Sequence, residues 1–243
     1  MGAVMRRVGL VLIGVLLASS AKADGPSWTD RGGSEPYHNW TGFYVGAHSG
    51  YGWAKPDVVN PATGGPAGSP LPSPTGGIVG IQVGYNFQFD RWVLGAEADF
   101  TFSGIKGGVD CFSFGCAPNG LHLFGHPDEF ATFTTRIGYS FDRFLPYAKG
   151  GLFWGHEDFE QTGLAGAHCV PTCTGSNQNL GWTIGAGTEY AVTTNWSLKL
   201  EYDFMTDFDK ARTVVKNARG DQNLFDESRT IQVVKFGINY KIN

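Results

Sequence analysis

The sequence predicts an all-β fold, an eight-stranded antiparallel up-and-down transmembrane β-barrel. Three observations support this prediction: eight segments alternate apolar with small or polar residues, their connections alternate short and long, and aromatic residues gather at both ends of the apolar rows. Composition agrees, because 36 of the 243 residues are glycine, 14% are aromatic and only 16% are charged. Typical soluble domains carry about 25% charged residues.

The chain begins with the features of a secretory signal peptide. Arg6 and Arg7 precede an apolar segment, 8–18, and Ala21-Lys22-Ala23 forms a cleavage site. The apolar segment is short for an uncleaved anchor, which needs about 20 residues. We therefore assign 1–23 to a signal peptide, 24–39 to a periplasmic linker and 40–243 to the barrel. Cleavage reduces the 18 Lys and Arg to 15, against 22 Asp and Glu, and this acidic balance argues against nucleic acid as a partner.

Strand positions follow from the two-residue period. The predicted strands are 41–53, 77–89, 92–102, 130–141, 144–155, 180–192, 196–204 and 230–242. Phe89 and Trp92 have opposite parity across Asp90-Arg91, as the residues flanking a two-residue hairpin must, because they pair directly and share a face. Long connections, expected as outward-facing loops, occupy 54–76, 103–129, 156–179 and 205–229.

The apolar rows are predicted to face lipid. An eight-stranded barrel encloses a lumen just wide enough for side chains, so two layers of Phe and Trp would not fit inside. A soluble barrel with its apolar rows inward is therefore disfavoured. The predicted aromatic girdles at the two membrane interfaces contain Trp53, Phe89, Trp92, Phe141, Phe144, Trp154, Trp182, Trp196 and Tyr240.

The opposite, inward face carries five acidic and four basic residues. They are Glu97, Asp99, Arg136, Lys149, Glu189, Lys199, Glu201, Asp203 and Lys235. Unpaired charges in so narrow a space would each cost several kcal/mol. We therefore expect a paired network that plugs the lumen, in preference to a narrow ion path lined by the same residues.

The four cysteines lie in Gly- and Pro-rich segments. In a secreted chain, Cys111 with Cys116 and Cys169 with Cys173 predict two local disulfides, a pairing between the loops being the alternative. His168 beside Cys169 does not have the spacing of a zinc site. We expect neither a metal nor another cofactor.

Catalytic motifs of the G-x-S-x-G, H-E-x-x-H and P-loop types are absent from the sequence. His48 and Ser49 are neighbours on a predicted strand and therefore point to opposite faces, where they cannot act as a nucleophile and its base. The sequence predicts that the protein is not an enzyme.

Several segments carry a family resemblance: WTGFYVGAHSGYGW (40–53), GGIVGIQVGYNFQF (76–89), WVLGAEADF (92–100), LPYAKGGLFWG (145–155), GWTIGAGTEYAVTTNWSLKLEYDF (181–204) and VVKFGINYKI (233–242). They closely resemble the small major outer-membrane proteins of α-proteobacteria, the Omp25/RopB-like group of porin-like surface antigens. The resemblance implies an OmpA-like eight-stranded barrel in the outer membrane, abundant at the cell surface and without catalytic residues.

Partners follow from the same resemblance. It implies contact with outer-membrane lipid and lipopolysaccharide and assembly by the barrel-insertion machinery, and it leaves the oligomeric state open, a homo-oligomer included. Outer-membrane barrels usually finish on an aromatic residue that the insertion machinery reads, whereas here the last aromatic of the alternating row is Tyr240, followed by Lys241-Ile242-Asn243. We expect a structural surface protein with at most weak diffusion of small solutes.

The alternative function is capture of a ligand, or adhesion, through the long outer connections. Some relatives in the family are described as haemin-binding. The connections contain His122, His126, His156 and His168, residues of a type that serves as axial ligands to haem. The plainer interpretation is that these histidines are solvated surface residues.

Overall fold

A computed structural model describes residues 38–59, 74–110, 121–163, 172–208, 211–216 and 222–242. They form ten strands: β1 (Gly42–Val59), β2 (Thr75–Phe89), β3 (Trp92–Ser103), β4 (Gly107–Asp110), β5 (Leu121–Tyr139), β6 (Phe144–Gly163), β7 (Thr172–Ala191), β8 (Trp196–Asp207), β9 (Ala211–Lys216) and β10 (Gln222–Ile242). Within these ranges there is no helix that is long and apolar enough to cross a membrane.

Eight of the strands close into an antiparallel barrel. β1, β2, β3, β5, β6, β7, β8 and β10 pair in that order, and β10 returns to pair with β1 from Phe43↔Ile242 to Val59↔Asp226. Short strands β4 and β9 lie outside this cycle and pair with β5 and β10. Closure leaves no free barrel edge for pairing with another chain. The predicted eight-stranded antiparallel barrel is confirmed.

The short turns have the predicted register. Phe89 pairs with Trp92 across Asp90-Arg91, and Phe141 forms a bridge with Phe144 across the second Asp-Arg turn. The two turn aspartates, Asp90 and Asp142, have φ values of 53° and 58°. This is the left-handed region that two-residue hairpin turns use and that aspartate tolerates. The parity change in the sequence therefore marks a real hairpin.

Several strands extend further into the long connections than the sequence predicts. β5 begins at Leu121 instead of 130, β6 continues to Gly163 instead of 155, β7 begins at Thr172 instead of 180, and β10 begins at Gln222 instead of 230. The expectation that these stretches are loops was wrong. Beyond the apolar belt no face has to meet lipid, so backbone pairing continues there without the hydrophobic alternation that signals a strand.

The outward faces form the apolar belt. Ile81 is 63% exposed, Phe133 58% and Leu200 52%. Of the residues predicted to form the girdles, Phe89, Trp92, Phe141, Phe144, Trp182, Trp196 and Tyr240 are exposed, and Trp53 and Trp154 are partly exposed. An apolar surface of this extent is suited to contact with lipid.

Candidate functional site

The inward faces change character along each strand. On β6 the buried residues run from Leu145 and Tyr147 through Lys149 to Phe153. On β8 three charged residues in alternate positions, from Lys199 to Asp203, are followed by buried Met205. The charges therefore occupy the middle of the lumen, with apolar residues at both ends.

Two carboxylates and two ammonium groups lie at the centre. Lys149 Nζ is 3.4 Å from Glu97 Oε1 and 2.8 Å from Glu201 Oε1. Lys199 Nζ is 3.2 Å from Glu97 Oε1 and 3.4 Å from Glu201 Oε2. All four side chains are buried, so each ammonium is shared between two carboxylates in a site of low dielectric constant.

Two tyrosines connect this centre to the only arginine of the network. The guanidinium carbon of Arg136 lies 4.8 Å from the ring centroid of Tyr44 and 5.0 Å from that of Tyr147. The Tyr44 hydroxyl donates to Glu97 Oε2 at 2.8 Å, and the Tyr147 hydroxyl donates to Glu201 Oε2 at 2.7 Å. Each ring thus meets a cation with its face and a carboxylate with its hydroxyl.

Arg136 and Glu189 form the ion pair nearest the short turns. Arg136 Nη1 lies 2.7 Å from Glu189 Oε1, and Arg136 Nε donates to Asn86 Oδ1 at 3.0 Å. Asn239 Nδ2 donates to the same Glu189 oxygen at 2.9 Å. These contacts supply both buried charges with directed partners.

A second group of charges lies on the side of the long connections. Lys235 Nζ is 2.9 Å from Asp203 Oδ2 and 3.2 Å from Asp99 Oδ2. Lys149 reaches the same group, with its Nζ 3.4 Å from Asp203 Oδ1. His48 Nδ1 lies 3.4 Å from Asp99 Oδ2.

The structure brings together every charge that the sequence places in the lumen. All are buried, and each lies within 4.0 Å of an opposite charge. The network also has uncharged and weakly basic members that the sequence analysis does not single out: Tyr44, His48, Gln82, Asn86, Tyr147 and Asn239. Their position in the alternation is the available signal, since each lies opposite the apolar row of its strand.

A buried apolar cluster lies at each end of the charges. The short-turn cluster contains Trp40, Val93, Leu145, Tyr147 and Ala191. The long-loop cluster contains Ala54, Ile78, Ile105, Phe130, Phe153, Met205, Ile231 and Val233. The charged network therefore lies between two buried apolar layers.

Trp40, which precedes β1, is held against the Asp142 turn. Its indole Nε1 is 3.2 Å from both Ser140 Oγ and the carbonyl oxygen of Asp142, so one N–H is shared between two acceptors. Its backbone N–H donates to Gln88 Oε1 at 2.8 Å. The residues immediately before the first strand therefore close the short-turn end.

Ile105, which follows β3, fills the opposite end. The backbone N–H of Gly104 donates to the Gly77 carbonyl at 2.8 Å, and that of Ile105 donates to Ser103 Oγ at 3.1 Å. The side chain is fully buried, and a Cβ on Gly52 would lie only 2.7 Å from Ile105 Cδ1. Glycine at position 52 therefore leaves room for this isoleucine.

Small cavities remain beside the two clusters. One of about 20 Å³ is bordered by Trp40, Glu189 and Asn239. Another of about 10 Å³ is bordered by Phe130, Phe153 and Arg229. A water molecule needs about 10–15 Å³ by this measure, so each cavity holds one or two waters at most.

Most of the remaining predicted site residues lie outside the described residues or are described by backbone alone. Cys111, Cys116, Cys169 and His168 are outside the described residues, and Cys173, His122 and His126 are described by backbone alone. Both disulfides therefore stay predictions. His156 stacks on Trp154, with ring centroids 6.5 Å apart and planes 15° from parallel.

His48 and Ser49 point to opposite sides of the barrel wall. His48 is buried in the lumen, whereas Ser49 is exposed on the outer surface. They do not form a nucleophile and base pair.

An exposed apolar belt around a closed barrel with a buried charged interior defines a class, the integral outer-membrane β-barrel proteins. The model of one family, described as the outer membrane protein β-barrel domain, matches residues 9–241. The chain belongs to this family.

Relatives place the chain more narrowly. It is 33% identical to the 31 kDa outer-membrane immunogenic protein of Brucella melitensis biotype 1, over 98% of this chain and 100% of the relative. It is 30% identical to the 22 kDa outer membrane protein of Rhizobium leguminosarum bv. viciae, over 85% of this chain and 80% of the relative. The resemblance to the α-proteobacterial Omp25/RopB-like group and the outer-membrane location are confirmed.

Among solved structures, the chain is similar to the outer membrane protein OprG from Pseudomonas aeruginosa. The TM-score is 0.49 at 13% sequence identity, covering 83% of this chain and 97% of the other.

Proposed function

We propose that this protein is a structural surface protein of the outer membrane, with a plugged lumen that allows at most weak diffusion of small solutes. One observation carries the proposal: the nine lumen charges are paired and lie between two buried apolar clusters. A hydrated ion could pass only by separating buried ion pairs. Removing one partner of such a pair costs about 3–5 kcal/mol, so opening several at once would be rare.

We also propose that the protein works through its surface and has no catalytic role. The names of its relatives support this, since they describe outer-membrane immunogenic proteins. Its surroundings would be lipid and lipopolysaccharide along the apolar belt. Assembly would use the barrel-insertion machinery, consistent with the regular outward row of β10 from Val234 to Ile242.

Single-channel recording in planar lipid bilayers tests the plug. We expect no large open steps from the native protein. A matched variant, Lys149→Ser with Glu201→Ser, removes one cation and one anion that lie 2.8 Å apart. It leaves the net charge unchanged while creating space, so conducting events should become more frequent.

Both samples should first show the mobility difference between boiled and unboiled protein that a closed barrel gives on a gel. Large and reproducible open steps from native protein of this quality would overturn the plug.

Ligand capture by the outer connections is the second candidate. His122 and His126 are on β5, and His156 is on the adjacent β6, where it pairs with Glu129. Three of the four histidines therefore lie on neighbouring strands at the outer end of the barrel. Titration with haemin should give a shift of the Soret band that is lost when His122, His126, His156 and His168 are all changed to Ala. No shift, or an unchanged one, rules this function out.

A further inference from the structure

His48 is a titratable lumen residue outside the set of nine charges. It is buried on β1 and has a hydrogen-bond partner at each ring nitrogen. We infer that His48 is held as an imidazolium at neutral pH, so that the lumen contains a built-in proton-binding site. This inference deepens the proposed plug, and rests on it in treating the lumen charges as one closed network.

The Nδ1 side follows from a chain of directed hydrogen bonds that begins at Glu189. This carboxylate only accepts, so Asn239 presents its Nδ2 to Glu189 and its Oδ1 to Gln82. Gln82 Nε2 donates to that oxygen at 2.7 Å, which leaves Gln82 Oε1 facing His48 Nδ1 at 2.6 Å. An amide oxygen cannot donate, so Nδ1 carries a proton.

The Nε2 side is fixed by Asp99. Thr101 Oγ1 donates its single proton to Asp99 Oδ1 at 2.9 Å. Thr101 Oγ1 also lies 3.0 Å from His48 Nε2. Because its proton is already donated to Asp99, Thr101 Oγ1 can only accept a hydrogen bond from Nε2. Nε2 therefore carries a proton as well. A histidine that donates from both nitrogens is an imidazolium.

Neighbouring charges are arranged to accept an imidazolium at this position. The nearest counter-charge is Asp99, 3.4 Å from Nδ1. The other charged groups facing His48 are the ammonium groups of Lys235 and Lys199, both of which are held by carboxylates of their own.

A carboxyl group could hold a lumen proton instead of His48, but it would need an acceptor. Asp203, the carboxylate beside Lys235, has ion-pair contacts with Lys235 at 2.9 Å and Lys149 at 3.4 Å. Ammonium groups only donate. His48 is the group whose surroundings offer acceptors to an additional proton.

Two glycines provide the space for this arrangement. A Cβ on Gly80 would lie 2.5 Å from His48 Nε2, and a Cβ on Gly46 would overlap Asn239 Oδ1. Any larger residue at either position would displace the chain of hydrogen bonds. The barrel wall is thus shaped around the histidine and its amide partners.

Nitrogen NMR of protein labelled with ¹⁵N-histidine, in detergent micelles at neutral pH, tests the inference directly. One of the six histidines should show two protonated ring nitrogens, and this signal should be lost in His48→Gln. A His48 signal with one unprotonated nitrogen would overturn the inference. This NMR measurement does not depend on conductance. It therefore distinguishes failure of the inferred charge state of His48 from failure of the proposed plug.

Removing a carboxylate from the network tests what holds the second ring proton. Asp99→Asn removes the nearest counter-charge of His48 and the carboxylate that accepts the Thr101 proton, so His48 should lose one ring proton at neutral pH. Glu189→Gln removes a carboxylate from the far end of the hydrogen-bond chain and should likewise make His48 lose a ring proton. Asp90→Asn, in an exposed turn, should leave the His48 signal unchanged. An imidazolium retained in both lumen variants would overturn the roles given to these carboxylates, and with them the inference.

Discussion

Single side chains in the lumen each contact several partners. Glu97 accepts a hydrogen bond from Tyr44 and lies within 3.4 Å of Lys149 and Lys199. Because these groups are buried, removing the Glu97 carboxylate takes away part of the negative charge that offsets the desolvation of the two ammonium groups. Individual residues of the network should therefore have large effects on stability.

Glu97→Gln should lower the free energy of unfolding by about 3–5 kcal/mol, the typical cost of breaking a buried ion pair. Glutamine has the same shape, so the loss would reflect charge and not packing. Urea unfolding in lipid vesicles, followed by tryptophan fluorescence, measures the change. Asp90→Asn serves as a control that removes an exposed carboxylate, and an equal loss in both variants would contradict the prediction.

A second residue-scale effect concerns the segment before β1. Burial against Trp40, whose ring centroid is 4.7 Å away, lowers the pKa of His38 below its usual value, and nearby Lys241 acts in the same direction. A lowered pKa in the folded state means that the undocked segment binds the proton more readily. Docking is therefore strongest above the usual value of about 6.5 and weakens as the pH falls through it.

Exchange of the Trp40 indole proton with solvent measures this docking. The exchange should be more strongly protected at about pH 8 than at about pH 5, after correction for the intrinsic rate, since acid charges the free histidine. His38→Gln should remove the difference. Protection independent of pH in the native protein would show that His38 does not contribute.

At the scale of elements, the hairpins could be predicted from sequence but the full strand lengths could not. The two-residue period and the Asp-Arg turns determine parity, and parity specifies which residues pair. Beyond the belt, the extensions of β5, β6, β7 and β10 are stabilised by backbone pairing between strands, which leaves no period in the side chains.

The lipid-facing assignment of β2 can be tested at Val83, which is exposed halfway along the strand and pairs with Ala98 on β3. Val83→Lys should lower barrel stability by about 2–4 kcal/mol, the cost of a lysine at the middle of the bilayer. Thr194→Lys introduces the same charge in an exposed turn and should have little effect. Equal effects, measured by urea unfolding in vesicles, would mean that position 83 does not face lipid.

At the scale of the whole molecule, the barrel has a polar interior and an apolar exterior. The nine charges could be found from parity because a charge on a predicted inward face is conspicuous. Parity also places His48, Gln82 and Asn239 on the inward face, but it does not single them out, since amides and histidines occur on either side of a barrel wall. Ile105 follows a strand and reaches the lumen through a local fold of residues 103–106, which no periodicity signals.

The predicted disulfides can be tested on the whole protein by gel mobility. Unboiled protein should migrate differently from boiled protein because the closed barrel resists detergent. Boiled samples with and without reductant should also differ, since local cross-links make the denatured chain more compact. Cys111→Ser with Cys116→Ser should abolish part of that second difference. Identical mobility of boiled native protein in both conditions would argue against the disulfides.

The two apolar clusters also bear on how the lumen charges respond to salt. At physiological ionic strength, mobile ions screen exposed charges over about 8 Å, but they screen buried pairs much less. The ion pairs between Trp40 at one end and Ile105 at the other are buried, so mobile ions screen them weakly. Raising the salt concentration from about 0.01 M to about 1 M should therefore hardly change the urea midpoint of the native barrel. In its weak response to mobile ions, the lumen should resemble the interior of the bilayer more than the water on either side.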